Sequence, residues 1–467
     1  MTGALFGLEP SAVWKHFGAL LSIPRPSGSE CAAADYIVGV AKGLGLDWKR
    51  DGVSNVLVRR PGTGSGVVLQ AHTDIVADRL PGCPADPAVD GVTPELRDGW
   101  VTAVGTTLGA DNGMGVAIML AMLESPLSTL PPLECLFTVD EERGLLGARV
   151  FPPEWLAHRR LINLDSEEEN SICIGCAGGR DVIVTKALEW ESGAVPVSRL
   201  TVGGLAGGHS GMEINRGRAN AISVAARVCR QLGLRVAGFS GGSKHNAIPR
   251  DAQVLVAGEV PPAALLEIAE EIGGEFAGIE KGIVISAIPS SPRAVLTGSC
   301  STGLLDLLLA LPHGVAAMSG SIPGLVQTSC NLAIARTDEK TAEVTISVRS
   351  SIDSSRDALV ERIISTARLS GCSHEACEGY PGWTPDPDSP LLAHAEKACR
   401  EYYGSDPEVV AIHAGLECGI IGKRVGGMDM ISMGPDIRDV HIPGERVRIS
   451  SVQAFMGMLV NLLESLA

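Results

Sequence analysis

The run Leu133–Val139 is almost continuously apolar and stops at three consecutive carboxylates, Asp140, Glu141 and Glu142. An apolar run of this length, bounded by polar residues, predicts a buried strand. Buried strands of α/β sheets carry their working residues just past their C-terminal ends. Adjacent glutamates in that place, followed by the glycine-punctuated turn ERGLLGA, suit one metal ligand and one general base. A single acidic strand end is more often a solvated turn. In this chain three other strands end the same way.

GVVLQAHTDIV is a strand running into His72 and Asp74, and RLINLDSEE is another that ends on Asp165. TTLGADNGMGVAIMLAML sets Asp111 directly before a helix, and GPDIRDVHIPGE carries His441 near the C-terminus. Strands that alternate with helices and end on polar residues predict a mostly parallel α/β sheet. Ahead of them, Val13, Trp14, Phe17, Leu20 and Leu21 have the spacing of an amphipathic helix over Ser11–Leu21. A second helix follows through Ile37, Val40 and Leu44, with Ser27 or Ser29 available as its cap. The G-x-G of RRPGTGSG precedes a strand instead of following one, which excludes a dinucleotide-binding turn.

Beyond about Gly179 charged and apolar residues alternate, as in DVIVTKALEW, DAQVLVAGEV and AEVTISVRS, which predicts half-exposed antiparallel strands backed by helices. GYPGWTPDPDSP then looks like a linker, after which α/β character returns. The expected organisation is a mostly parallel α/β catalytic domain in two parts, residues 1–182 and 380–467, with an α+β domain, 183–379, inserted between them. A chain of 467 residues is long enough for this. An insert of that length is compatible with a monomer or a homodimer.

The formal charge of −16 argues against nucleic-acid and anionic-membrane partners, which call for basic clusters. The longest apolar runs fall well short of a membrane span, and the N-terminus lacks the basic and apolar regions of a signal peptide. Twelve cysteines then suggest reduced thiols in a cytoplasmic protein. Cys173 and Cys176 form a C-x-x-C without a matching second pair, and their apolar surroundings assign them to a core.

His72, Asp111, Glu142, Asp165 and His441 are a donor set suited to two metal ions with a shared carboxylate. Any one of them alone would more often be structural. With only 10 histidines in the chain, their joint placement at strand and helix ends reverses that balance. Asp74, just beyond His72 along the strand, would point away from the metals and could orient the imidazole.

The segments AHTDIV, TTLGADNG, FTVDEERGLLGA, LDSEEENSICIGCAGG, GGHSG, NAIPR, SVRS, HAGLECG and GP-x-IR-x-x-H-x-P-x-E, in this order along nearly the whole chain, resemble the aminoacyl-histidine (Xaa-His) dipeptidases. These belong to the co-catalytic zinc metallopeptidases that include carnosinase, which implies a catalytic domain of zinc-peptidase type in the two outer parts and a lid role for the inserted domain. The resemblance implies that His72 and Asp165 bind one Zn²⁺, that Glu142 and His441 bind the other, and that Asp111 bridges them, with Co²⁺ or Mn²⁺ able to substitute. It makes Glu141 the general base for attack by a metal-bound hydroxide, Asp74 the support of His72, and His209 the donor to the oxyanion. It sets Asn246 and Arg349 on the substrate's C-terminal side and a cis bond at Asp111–Asn112. The substrate it implies is a small dipeptide of Xaa-His type, with β-alanyl-histidine a candidate member. Two motifs depart from the family pattern, at Ala71-His72-Thr73 and at Ile442-Pro443-Gly444-Glu445.

His413 and Glu417 stand four apart; with the metal set filled, Glu417 is a candidate for the substrate's amine. Glu167 is a second such candidate in an otherwise solvated acidic loop, and His245 is expected to face solvent. Two other readings are an aminoacylase or tripeptidase with the same metals and a metal-stabilised binding protein without activity. Glu141 disfavours the last, since a binding protein needs no base.

Overall fold

The apolar run becomes the strand Leu133–Thr138, every residue of it buried. It lies inside an eight-stranded sheet in the order Asp47–Arg50, Val56–Arg60, Leu133–Thr138, Val67–His72, Arg160–Asn163, Asp429–Ser432, Ser171–Cys176, Glu408–Ile412. This computed structural model describes residues 3–467. It divides into two units, the first running to Gly175 and resuming over Pro385–Ala411 and Leu416–Ala467, the second comprising Cys176–Thr384 and Ile412–Gly415.

In the first unit the four central strands are parallel, as their continuous apolar composition requires. Antiparallel pairings flank them on both sides, of which only Asp47–Arg50 with Val56–Arg60 is a short hairpin. The helix Ala110–Glu124 is buried along almost its whole length and packs on Val67–His72. Its Gly115 admits no side chain, since a Cβ there would lie 2.7 Å from the carbonyl oxygen of Leu164 and 3.1 Å from Ala71 Cβ. Ser11–Leu21 is a helix with the expected apolar residues inside. The following helix, Cys31–Gly43, has no side-chain cap. Neither Ser27 nor Ser29 serves it; Ser27 Oγ instead donates to Asp74 Oδ2 at 2.8 Å, because that buried oxygen needs a donor.

The second unit is built on a nine-stranded sheet whose pairings are antiparallel. Along Thr341–Ser350, Val344, Ile346 and Val348 enter a core shared with the helices Ala221–Gln231, Gly298–Ala310 and Asp353–Leu369. Ser347 and Arg349 therefore occupy the opposite face.

The boundaries differ from 183 and 379. Gly178–Ala187 pairs along its length with Thr341–Ser350, which draws residues before 183 into this unit. The stretch expected to be a linker pairs as well: Tyr380 and Gly179 exchange backbone hydrogen bonds at 3.1 and 2.9 Å, and Trp383 and Cys176 do so at 2.9 Å each. Asp353 Oδ1 accepts from the Gly382 amide at 3.0 Å and holds it there. Cys173 and Cys176 are buried, and no disulfide occurs among the described residues. No helix among them is long and apolar enough to cross a membrane.

Asn220 caps Ala221–Gln231, accepting from the amides of Ile222 and Ser223 through Oδ1. Its Nδ2 therefore donates, at 2.8 Å to the Leu332 carbonyl and at 3.2 Å to His313 Nδ1. The Leu332 amide also donates to Nδ1 at 3.3 Å, so His313 must be neutral with its proton on Nε2. Burial lowers its pKa to about 4. Between the ordinary histidine value and that pH the unfolded chain takes up a proton that the folded unit refuses, so acid costs stability. We expect the transition temperature of the wild type to fall as pH is lowered from about 6.5 to 4. His313→Asn should flatten that slope in calorimetric scans across the same range; an unchanged slope would remove His313 from the account.

Candidate active site

The register of the central strands aligns their C-terminal ends. His72 stands opposite Thr138, and Gln70 opposite Asn163. The chain leaves these ends through Glu141, Glu142 and Asp165, while Asp111 sits at the start of the buried helix, where the helix dipole favours a carboxylate. Two residues beside this cluster hold positive φ without being glycine, Asp140 at 54° and His441 at 65°. Such strain persists where the surroundings over-determine the backbone, and it concentrates at functional sites. The Asp111–Asn112 peptide is cis.

Asp111 faces two imidazoles with different oxygens. His72 Nε2 lies 3.1 Å from its Oδ1, and His441 Nε2 lies 2.9 Å from its Oδ2. His72 Nε2 is also 3.3 Å from Asp165 Oδ1, and His441 Nε2 is 2.9 Å from Glu142 Oε1. Two groups result, His72–Asp111–Asp165 and Asp111–Glu142–His441, each with its donor atoms within 4.8 Å of one another. His72 Nδ1 and Glu142 Oε1 are buried, and their contacts to Asp74 and His441 fall short of well-aligned hydrogen bonds. Imidazole nitrogen and carboxylate oxygen, converging in two triplets around one shared carboxylate, fit a pair of divalent ions.

The electrostatics agree with that donor set. Burial opposes charge on His441, but Asp111 and Glu142 outweigh it and push its pKa up to about 11. His72 is likewise held well above its ordinary value against burial by Asp165, Asp111 and Asp74. Burial raises Asp165 to about 6, while Asp111, despite its burial, is held far below the usual range by the two histidines. Without a metal the imidazoles supply the positive charge that the carboxylates require; metal ligation would displace those protons. Burial, with Asp165, Glu142 and Glu417 nearby, raises Glu141 well above an ordinary glutamate, against the opposing pull of His72. A carboxylate whose proton affinity is raised in this way is suited to taking up a proton.

Asp74 organises the site from below. Its Oδ1 is 3.4 Å from His72 Nδ1 and accepts the Glu141 amide at 3.0 Å, while Oδ2 accepts the Glu142 amide at 3.2 Å. Burial works against its charge, but His72 and these donors prevail and hold it at about 2.

Two residues that sequence reasoning missed complete the support. Glu445, noticed only as part of an unusual motif ending, is buried and accepts from the amides of Leu108, Gly109, Ala110 and Asp111 at 2.7–3.2 Å. Arg25, fully buried, donates to the carbonyls of Thr73 and Gly109 at 2.8 Å each. Nothing in spacing or periodicity marks either one; their partners are backbone groups more than 40 residues away.

Glu417 begins the helix Glu417–Arg424 and is wholly buried. Its Oε2 accepts from Gln70 Nε2 at 2.5 Å and Thr138 Oγ1 at 2.7 Å, and burial lifts its pKa to about 7. Glu167 is raised to about 8, chiefly by burial and then by Asp111 and Asp165, so it is not the plain solvated residue that its acidic loop suggested.

The other candidates belong to the second unit. His209 pairs in register with Ala247, and its Nδ1 accepts from the amides of Gly211 and Met212 at 3.3 and 3.2 Å, which leaves Nε2 as the donor. The carbonyl of Asn246 accepts the Ser210 amide at 2.8 Å, bringing Asn246 beside the same loop. Arg349 is buried and donates from Nη1 to Tyr380 Oη at 3.2 Å. His413 Nε2 meets Ser329 Oγ at 2.7 Å and takes no part in a metal group.

Residues 68–465 match the profile of peptidase family M20/M25/M40. The chain belongs to that family. It is 38% identical over 479 residues to the cytosol non-specific dipeptidase of Escherichia coli (strain K12), covering 98% of each chain. The crystal structure of aminoacylhistidine dipeptidase from Vibrio alginolyticus superposes with a TM-score of 0.89 at 38% identity, over 99% of this chain and 98% of that one. A Staphylococcus aureus tripeptidase shares the fold at 17% identity, with a TM-score of 0.58 and 98% and 99% coverage. The resemblance carried by the motifs therefore holds, and the chain is a peptidase of mixed α/β architecture.

Replacing Glu445 by Ala would strip four amides of their acceptor around Asp111. We expect metal affinity to fall about 10–100-fold, the usual cost of losing such support. Glu445→Gln, which keeps a carbonyl oxygen, should lie between. Competition titration against a chelator reads this directly; wild-type affinity in Glu445→Ala would refute it.

Proposed function

We propose that this chain is a di-zinc dipeptidase of the cytoplasm that hydrolyses Xaa-His dipeptides. The observation that carries the reading is the shared Asp111 carboxylate, one oxygen toward His72 and the other toward His441. His72 and Asp165 would hold one ion, Glu142 and His441 the other, and Asp111 both. Such a pair supplies Lewis acidity, polarising the scissile carbonyl and lowering the pKa of water toward about 7.

The protein's own groups would do the rest. Glu141 would take the proton of the attacking water and return it to the departing amine, a task suited to a carboxylate whose proton affinity burial has raised. Asp74 would keep His72 oriented and hold the backbone of Glu141 and Glu142 in place. His209 Nε2–H would donate to the developing oxyanion. Arg349 and Asn246 would hold the substrate's C-terminal carboxylate, and a guanidinium suits that group by its paired donors. Glu417, with one oxygen already shared by Gln70 and Thr138, is the less accessible of the two candidates for the substrate's amine; Glu167 is the other.

The relatives bear differently on the substrate. One is named for aminoacylhistidine and the other as non-specific, so the dipeptide class has more support than the histidine preference. The cytosolic name of the Escherichia coli relative supports the compartment.

Amine release should be followed for Ala-His, β-alanyl-histidine, Ala-Leu, a tripeptide and an N-acyl amino acid, before and after chelation. We expect metal-dependent cleavage of dipeptides, fastest for Xaa-His, and two ions per chain. Glu141→Gln should keep both ions while kcat falls about 10²–10⁴-fold. Preferred cleavage of the tripeptide or the acyl amino acid would overturn the substrate, and undiminished turnover in Glu141→Gln would overturn the base.

A further inference from the structure

On the face opposite the core of the second unit's sheet, the strands Gly178–Ala187, Thr341–Ser350 and Val326–Thr337 carry an ordered polar set. Cross-strand pairing sets Arg349 against Ser329 on one side and Gly179 on the other, and Ser347 against Asn331 and Asp181. Directly paired residues project on the same side, so Ser329, Asn331, Ser347, Arg349 and Asp181 share this face. Asp181 is thus the diagonal neighbour of Arg349, with roughly 7–8 Å between their backbones.

Asp181 is built in. Its Oδ2 lies 3.0 Å from His245 Nδ1, and Ser347 also hydrogen-bonds its carboxylate. Burial disfavours its charge, but these partners and Arg349 hold it below the ordinary aspartate range, so it stays ionised. His245 follows the same logic: it is exposed, as expected, though anchored by this pair instead of simply facing solvent. Its carbonyl, with that of Ala247, is held by Asn331 Nδ2 at 3.2 and 2.7 Å. The loop that carries Asn246 is therefore tied to Val326–Thr337, which lies on the far side of Thr341–Ser350 from Asp181.

We propose that Asp181, positioned by His245 and Ser347, is the residue that selects a basic or imidazole side chain on the C-terminal residue of the substrate. This rests on the reading above, in which Arg349 holds the α-carboxylate. A residue anchored there by its carboxylate directs its side chain away from the guanidinium, and the neighbouring group on the face is an anion. A histidine or lysine side chain offers the N–H donors that this carboxylate accepts. A leucine side chain would leave Asp181 with a desolvated charge and no new partner, and an aspartate would meet like charge. The cation and anion on one diagonal thus read two groups of a single amino acid.

The test compares kcat/KM for Ala-His, Ala-Lys, Ala-Leu and Ala-Asp in wild type, Asp181→Asn, Asp181→Glu and Arg349→Ala. In Asp181→Asn, Ala-His and Ala-Lys should lose at least tenfold, mostly through KM, while Ala-Leu changes less than twofold. Retained Ala-Leu activity also shows that the variant folds. Asp181→Glu, which keeps the charge, should restore part of the preference for Ala-His. Arg349→Ala should lower all four substrates alike. Equal losses on all four substrates in Asp181→Asn, or no loss for Ala-His, would overturn the role of Asp181. A wild type that cleaves none of the four overturns the dipeptidase reading itself, and unequal losses in Arg349→Ala overturn the carboxylate anchor alone.

Discussion

Asp111 must present both of its oxygens, in different directions, to His72 and His441. A carboxylate can do so only if its backbone is held rigidly. Glu445 supplies that restraint by gathering four consecutive amides that precede and include Asp111. Leu108 and Gly109 precede the helix and Ala110 and Asp111 open it, and one anion satisfies all four N–H groups by hydrogen bonding. Arg25 ties the same loop to the end of the strand that carries His72. The shared carboxylate, the histidine strand and the C-terminal histidine loop form one mechanically connected object.

The concentration of buried carboxylates has a cost that a parallel sheet is well placed to meet. The carboxylates around Asp111 are either close to an imidazole or accept backbone amides, and Asp74 does both. The polar network continues beneath, from Glu417 through Gln70 to Asn163 and Ser432. Buried networks of this kind are stable only when their members are satisfied, and they then define a single arrangement of the strands that carry them. Sheet register and site geometry are accordingly the same constraint seen from two sides.

The second unit divides its labour by face. Val344, Ile346 and Val348 enter the core, and the alternate positions Ser347 and Arg349 are left for polar work. That alternation was readable along AEVTISVRS, as was the parallel centre of the first unit from its continuous apolar runs. The status of GYPGWTPDPDSP was not. Its prolines and glycines mark a loop by local chemistry, yet Tyr380 and Trp383 pair with Gly179 and Cys176, 201 and 207 residues away in sequence by their numbering. Hydrogen bonds between such distant segments leave no local periodicity to find.

By itself the sequence determined where strands end and which of those ends carry imidazole and carboxylate groups. The reason is that apolar continuity and an abrupt carboxylate are local properties of the chain. It also determined the family, through motifs spread over nearly its full length. Tertiary structure alone decided which oxygen of Asp111 faces which histidine, that Glu445 and Arg25 hold that carboxylate, that Ser27 serves Asp74 and caps no helix, and that Asp181 stands on the diagonal from Arg349. Each of these depends on strand register and on backbone groups meeting across long stretches of chain. Such meetings are fixed by packing and by the need to satisfy buried polar atoms, not by the identity of neighbouring residues.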